Sequence, residues 1–579
     1  MKRCPTCKRV ENDDALVFCR ADGTALINDS GSVSAEAGTA RLGSSPVGSE
    51  VETSVLPPAV TDADMNRSTT VLPPQGILPN TRELTKPKRR KAFVVIAVLV
   101  SVVLALGVGG VLVVSAYLYL LRKNTAANTT AIQSVAVLPF KNESGNADFE
   151  YLSDGITESL INSLSQLPNL SVKARSMVFQ YKGKDANPQQ VGSELSVQAV
   201  LNGRVTQRGD QLTLSLEMVD ARTGNQIWGE QYNRKSADLV SLQSEIAREV
   251  SSRLKTKLSG ADQAKLAKTY TTDPEAYRLY LQGRFCLNKR AGKIFDQAGD
   301  YFQQATARDP NFALGYVGLA QFLSGSDRPK AKEYILRALS IDNQLSEAHA
   351  NLGYQFMLDY DFAASERELK RAMELDGNNF RAYQWNGQRL MMIGLFDESL
   401  AEYDRAIEME PMLADIRNNR AACLVAAGKI DAGIEELKKS AQMDPELTWT
   451  HSQLQQAYRL KGDHAASVES RARVAEMQDK PDNAKALREA FAKGGWTAYL
   501  REFLRQDFDN QRRRNLSGSL RQATLLAELG EKEEAVATLT RAAAGGDWWL
   551  FMMKYDPAFK SLRSDPRFQE LVKKFDPPK

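Results

Sequence analysis

The chain has 579 residues, 75 Lys and Arg against 71 Asp and Glu, a net charge of +4 and 43% hydrophobic residues. That length calls for several domains, and the near-balanced charge does not imply a nucleic-acid partner. Three of the five cysteines fall within the first nineteen residues and the others, Cys286 and Cys423, stand singly, which suggests no disulfide framework.

In chain order, residues 1–30 form a small head. Cys4 and Cys7 are spaced so that both thiolates reach one tetrahedral ion, Cys19 supplies a third, and Asp22 stands where a fourth Cys would be expected. Fewer than thirty residues bury too little apolar surface to fold unaided, so a structural zinc ion held by Cys4, Cys7, Cys19 and Asp22 is the predicted source of stability. The segment resembles the short zinc-ribbon heads of some bacterial membrane proteins, which implies an interaction module. Residues 31–91 are rich in Ser, Thr, Gly and Pro without sustained periodicity, a predicted disordered linker ending in the basic cluster Lys86, Lys88, Arg89, Arg90 and Lys91.

Thirty uncharged residues follow, Ala92 to Leu121. At about 1.5 Å of rise per residue the run exceeds the roughly 30 Å of bilayer hydrocarbon, which predicts a single transmembrane helix. It begins too late for a cleaved signal peptide. Positive charge concentrates on its amino side, placing the head in the cytoplasm and the carboxyl-terminal body outside a bacterial inner membrane. Gly107, Gly109 and Gly110 would allow close helix approach, and hence a homodimer through the span.

Ser134 to Phe140 is a β-rich apolar run, and the spacing of Tyr151, Ile156, Leu160, Ile161, Leu164 and Leu167 predicts a helix. A short strand over Leu170–Ala174, a helix near Val191–Leu195, strands at 199–205, 212–219 and 226–232, and a helix over Leu239–Leu254 complete an α/β domain at 132–258. Asp154-Gly155 reads as a turn before the first helix rather than as a site. The stretches Val135–Phe140, Tyr151–Ile156, Leu201–Val205 and Gly224–Trp228 resemble the FlgO/TolB amino-terminal-like domain. This resemblance implies a place between a membrane span and tetratricopeptide repeats in bacterial signalling proteins, and carries no catalytic residue across.

From Pro274 a period near 34 appears. Gly387, Gly394, Tyr403, Ala406 and Pro411 return as Ala421, Gly428, Leu437, Ser440 and Pro445. Small residues recurring where bulk would push helices apart resemble the tetratricopeptide (TPR) family, predicting an all-α superhelix over 274–480 and, over 481–579, a further helical repeat and aromatic cap. The TPR resemblance implies a concave groove that holds a protein or peptide. Its lining is expected to include Arg381, Gln384, Gln388, Met391, Asn418, Trp449, Ser452, Gln456 and Arg459, polar with a cationic edge.

No phosphate loop, kinase motif or paired nucleophile and base is present, and His349, His451 and His464 stand alone in repeat helices. The expectation is a non-enzymatic, membrane-anchored protein-interaction scaffold. The alternative is a sensor that couples an outer ligand to the head, and it differs by requiring two states of unequal ligand affinity.

Overall fold

The computed structural model describes residues 2–3, 10–11, 27–28, 132–167, 170–254, 259–289, 292–514 and 519–574. The chain divides into two compact units, Met1–Gly110 and Val111–Lys579. In the first unit three short strands, β1 (Lys2–Arg3), β2 (Val10–Glu11) and β3 (Ile27–Asn28), form an antiparallel sheet in the order β2-β1-β3. The four expected metal ligands, the linker and the span expected at 92–121 lie outside the described residues. Among the described residues, no helix is long and apolar enough to cross a membrane.

The second unit opens with a mixed sheet. Strands β4 (Ser134–Val137), β5 (Lys141–Asn142), β6 (Ser171–Val172), β7 (Ala199–Arg208), β8 (Gln211–Asp220) and β9 (Gln226–Lys235) take the order β6-β4-β7-β8-β9, with β5 also on β7. β4 runs parallel to β6 and β7, while β7, β8 and β9 are an antiparallel meander. Val135, Ala136 and Val137 are all fully buried. A continuous apolar run suits a parallel strand covered on both faces.

Helix α1 (Glu150–Ser165) covers the sheet together with α2 (Pro188–Leu195) and α3 (Leu239–Arg253). Asn187 caps α2 by accepting from the Gln189 and Gln190 amides at 2.8 and 3.4 Å, ahead of Pro188 in the first turn. One sequence expectation is corrected here: Asp154-Gly155 is not a turn. Both residues lie buried inside α1, where a Cβ on Gly155 would stand 2.9 Å from the Leu281 side chain. The pair marks the closest approach of α1 to the first helix of the repeats.

That helix, α4 (Pro274–Asn288), pairs with α5 (Gly292–Arg308), and five further pairs follow: α6 (Ala313–Leu323) with α7 (Arg328–Ile341), α8 (Ser346–Leu358) with α9 (Phe362–Leu375), α10 (Phe380–Met392) with α11 (Phe396–Met409), α12 (Ala414–Ala426) with α13 (Ile430–Met443), and α14 (Thr448–Lys461) with α15 (His464–Met477). The small and apolar residues read from the period are buried together, including Ala298, Phe302, Ala305, Ala331, Ala338, Ala372 and Ala406, all at 0% exposure. Gly394, Gly428 and Gly462 turn the last three pairs with φ of +86°, +78° and +82°, left-handed geometry that glycine adopts without steric cost. Tyr360 holds the equivalent position, 34 residues earlier, at φ +61°. One apolar core runs without a break from Val135 in the sheet to Phe312, at the N-cap of α6, and Leu319 within it. The α/β domain and the first repeats therefore fold as one body.

Beyond the array, the helical pair expected there is present as Leu520–Glu528 and Lys532–Ala544. The stretch before it, Pro481–Arg514, escaped the sequence reading and is two helices meeting at Gly495, whose φ +65°, ψ −156° is open to glycine alone. No atom lies within 4 Å of a Cβ built there, so the cost of Gly495→Ala is purely conformational. It is expected to destabilise this segment by about 1–3 kcal/mol, read as loss of amide-exchange protection over 481–514.

Candidate functional site: the inner surface of the array

Two of the chain's own segments occupy the array. At one end, Glu158 of α1 pairs with Arg175 (Nε to Oε2, 3.0 Å) and with Arg284 of α4, and accepts from Asn288 at 3.2 Å. Burial pushes this carboxyl up, but the two guanidinium groups outweigh it and hold it below the usual range. The Ser176 amide donates to Glu410 at 3.1 Å and the Asn378 side chain donates to the Ser165 carbonyl, so the α/β domain reaches α11 and the turn before α10. Nearby, Asp154 lies against Lys182 at 2.6 Å, and desolvation, the largest influence, leaves its carboxyl above the ordinary value.

At the other end the tail folds back. Tyr555 meets Phe396 edge-on at 5.1 Å, Trp549 lies 6.4 Å from Trp449, and Asp556 takes the guanidinium of Arg459, which also binds Glu528 at 2.5 Å. Met391, Tyr403, Cys423, Phe551 and Phe559 then share one core. Asp547 ties the tail to the last helical pair, accepting from the Leu520 amide at 2.8 Å and from the Trp549 amide at 3.1 Å. Asp547→Ala is expected to cost about 1 kcal/mol, measured as the shift in the urea midpoint of the full chain.

The expected groove residues consequently divide. Gln384, Gln388, Met391, Asn418 and Arg459 are buried, and Asn418 donates to Thr450 at 2.9 Å. Arg459, read from sequence as a free cationic edge, has its charge committed inside the chain. Arg381 is half-buried, its guanidinium 5.9 Å from the Trp385 ring, and Trp385 in turn stacks on Tyr354 at 4.9 Å. Trp449, Ser452, Gln456 and Arg459 come together as one wall of a cavity of about 240 Å³. Its opposite wall, with Arg471, Phe503, Arg521, Trp549 and Met552, was not foreseen. Phe503, Arg521, Trp549 and Met552 lie beyond the array, outside any 34-residue period, and Arg471 falls on the period, 34 residues after Leu437, where an apolar residue would be expected.

The histidines have structural partners: His349 sits between the Glu368 carboxylate at 2.6 Å and the Asn343 carbonyl at 3.0 Å, and His464 stacks on Trp496 at 4.0 Å. Cys286 and Cys423 are buried and free. Among the described residues, no group of three or more His, Cys, Asp or Glu could hold a metal ion.

Residues 131–249 match the family described as HilA/YgeH-like transcriptional regulator, second domain. That is the stretch read from sequence as similar to the FlgO/TolB domain. A curated relative from Rhizobium meliloti (strain 1021), named "Putative adenylate cyclase 3", is 33% identical over 187 residues, 32% of this chain and 32% of its own length. The chain thus spans about a third of that relative. The expectation that this chain is not an enzyme is corrected by this relative, which bears an enzyme's name: the lack of a recognised catalytic motif does not decide the question.

Similar solved structures include PilW, a widely conserved type IV pilus biogenesis factor (18% identity, TM-score 0.30, 36% of this chain and 98% of that one). YrrB, a TPR protein with an unusual peptide-binding site, is 17% identical with TM-score 0.24 over 32% of this chain and 97% of that one. MamA from Desulfovibrio magneticus RS-1 is 20% identical with TM-score 0.25 over 29% of this chain and 97% of its own.

Proposed function

We propose that this chain is a scaffold anchored in a bacterial inner membrane, which binds a protein partner on its TPR-like array. The observation that carries the reading is the half-buried cluster of Tyr354, Trp385 and Arg381, on successive repeats and flanked by the docked α/β domain and the docked tail. Stacked aromatics with an arginine are the composition that protein interfaces concentrate at their centres. The shared core and the Glu158 pairs support the reading further, because a surface spanning two folds keeps its shape only when they are locked together.

The test uses the full chain in its native membrane. A photo-crosslinking residue at Trp385 or Arg381 is expected to give one discrete protein adduct, with none from the exposed Lys370 or Lys438. Trp385→Ala is expected to weaken retention of the captured protein by about 2 kcal/mol. Equal adducts from both sets of positions, or unchanged retention by the variant, would remove the reading.

In the same proposal Ala92–Leu121 is the anchor, supported by its uncharged length and its basic amino flank. Protease added to spheroplasts is expected to digest the array, and an array spared while the protein stays in the membrane would reverse the topology. Zinc in the head completes the reading. Arg3 pairs with Val10 across β1 and β2, which brings together the two ends of the segment bearing Cys4 and Cys7. The full chain is expected to carry one zinc per copy, lost in Cys7→Ser; a stoichiometry near zero in the unaltered protein would rule it out.

A further inference from the structure

Arg471 on α15 is only 7% exposed, yet its Nε has no hydrogen-bond partner and, among the described residues, its guanidinium has no ion pair. It lies over the Phe503 ring at 4.5 Å and lines the cavity of about 240 Å³. The neighbouring carboxylates are engaged elsewhere, save the buried Oδ2 of Asp507, which has no hydrogen-bond partner and forms no ion pair with Arg471. Glu528 and Asp556 take Arg459, Asp507 takes Arg521 through Nε at 2.9 Å, and Asp547 accepts two backbone amides. Desolvation, followed by the repulsion of Arg521, pushes the Arg471 guanidinium down to about 10. A buried, unpaired cation is costly, and a ligand that supplies the missing anion recovers that cost.

The remaining walls describe the rest of such a ligand. Trp449, Trp549 and Phe503 offer aromatic faces, and Ser452, Gln456 and Thr524 add a few polar groups. The volume falls below the roughly 300–1,000 Å³ of pockets that hold drug-sized molecules. We propose that the cavity between α14, α15 and the C-terminal cap is a binding site for a small organic carboxylate, whose carboxylate meets Arg471 while its apolar body lies among Trp449, Trp549 and Phe503. Trp449 and Trp549 belong to separate segments, so an occupant would also pin the tail onto the array.

The experiment titrates the full-length protein in nanodiscs with phenylacetate, phenylacetamide, inorganic phosphate and a tripeptide ending in phenylalanine, following tryptophan fluorescence and heat. Phenylacetate is expected to bind at least about tenfold more tightly than its neutral amide, since hydrogen bonds to a charged partner are the stronger kind. Arg471→Gln is expected to erase that preference while lowering the melting temperature only slightly, because the guanidinium has no ion pair to lose and gives up only its place over the Phe503 ring and the attraction of Tyr499 and Asp507. Ser452→Phe, which fills the cavity and leaves the arginine in place, is expected to abolish binding. Equal binding of acid and amide, unchanged acid binding in Arg471→Gln, or phosphate binding as tightly as phenylacetate would each overturn the proposal. Binding of the tripeptide as tightly as phenylacetate would overturn the assignment to a small molecule.

Discussion

Replacing Phe302 with alanine is expected to destabilise the junction between the α/β domain and the repeats by about 3–5 kcal/mol, the range for truncating a buried aromatic. Phe302 is fully buried on α5, and glycines from the two neighbouring helices close on it. A Cβ on Gly283 of α4 would stand 2.6 Å from its ring, and one on Gly318 of α6 2.5 Å. Tyr280 adds a ring contact at 6.0 Å. Three successive helices thus meet around one side chain, and they cannot collapse into the void without losing their own spacing. Amide exchange over 274–323 reads the effect directly. Opening free energies unchanged in Phe302→Ala would mean that this packing does not hold the junction.

The second large effect is expected at Glu158. Its side chain is 12% exposed and serves Arg175, Arg284 and Asn288 at once. Glu158→Gln keeps the shape and removes the charge, leaving Arg284 half of a broken buried pair. Such breaks cost about 3–5 kcal/mol. The pH dependence follows from the depressed folded-state value. A carboxyl whose folded pKa is lowered contributes stability that is complete above its unfolded value, about 4.3, and is lost as pH falls through the lower folded value. The gap in urea midpoint between the native protein and Glu158→Gln is therefore expected to be full at pH 6 and to close below about pH 4. A gap that persists unchanged into strong acid would show that geometry rather than charge holds the two domains.

Much of the architecture was legible because its signals are local. Ala298, Phe302 and Ala305 recur at helical spacing, Gly394, Gly428 and Gly462 mark left-handed turns 34 apart, and alternation along β7 and β8 sets the meander. Asp154-Gly155 was misread because a buried Asp-Gly within a helix looks, in sequence, like a turn. It is the packing of Leu281 on Gly155 and the contact with Lys182 that make helix the better solution. The site was legible on one wall only. Trp449, Ser452, Gln456 and Arg459 follow from the period, whereas Arg521 and Trp549 follow from none and Arg471 occupies a periodic position that Tyr403 and Leu437 fill with bulk.

By itself, then, the sequence determined the strands of the sheet and the helical pairs of the array, because burial periodicity and glycine placement act within a few residues. Tertiary structure alone decided that the α/β domain and array share one core, that the tail returns to bind Arg459, and that Arg471 is left without an ion pair among the described residues. Each of these depends on which charges and apolar faces meet between segments distant along the chain, and a buried charge is satisfied or stranded only by what the completed fold places beside it.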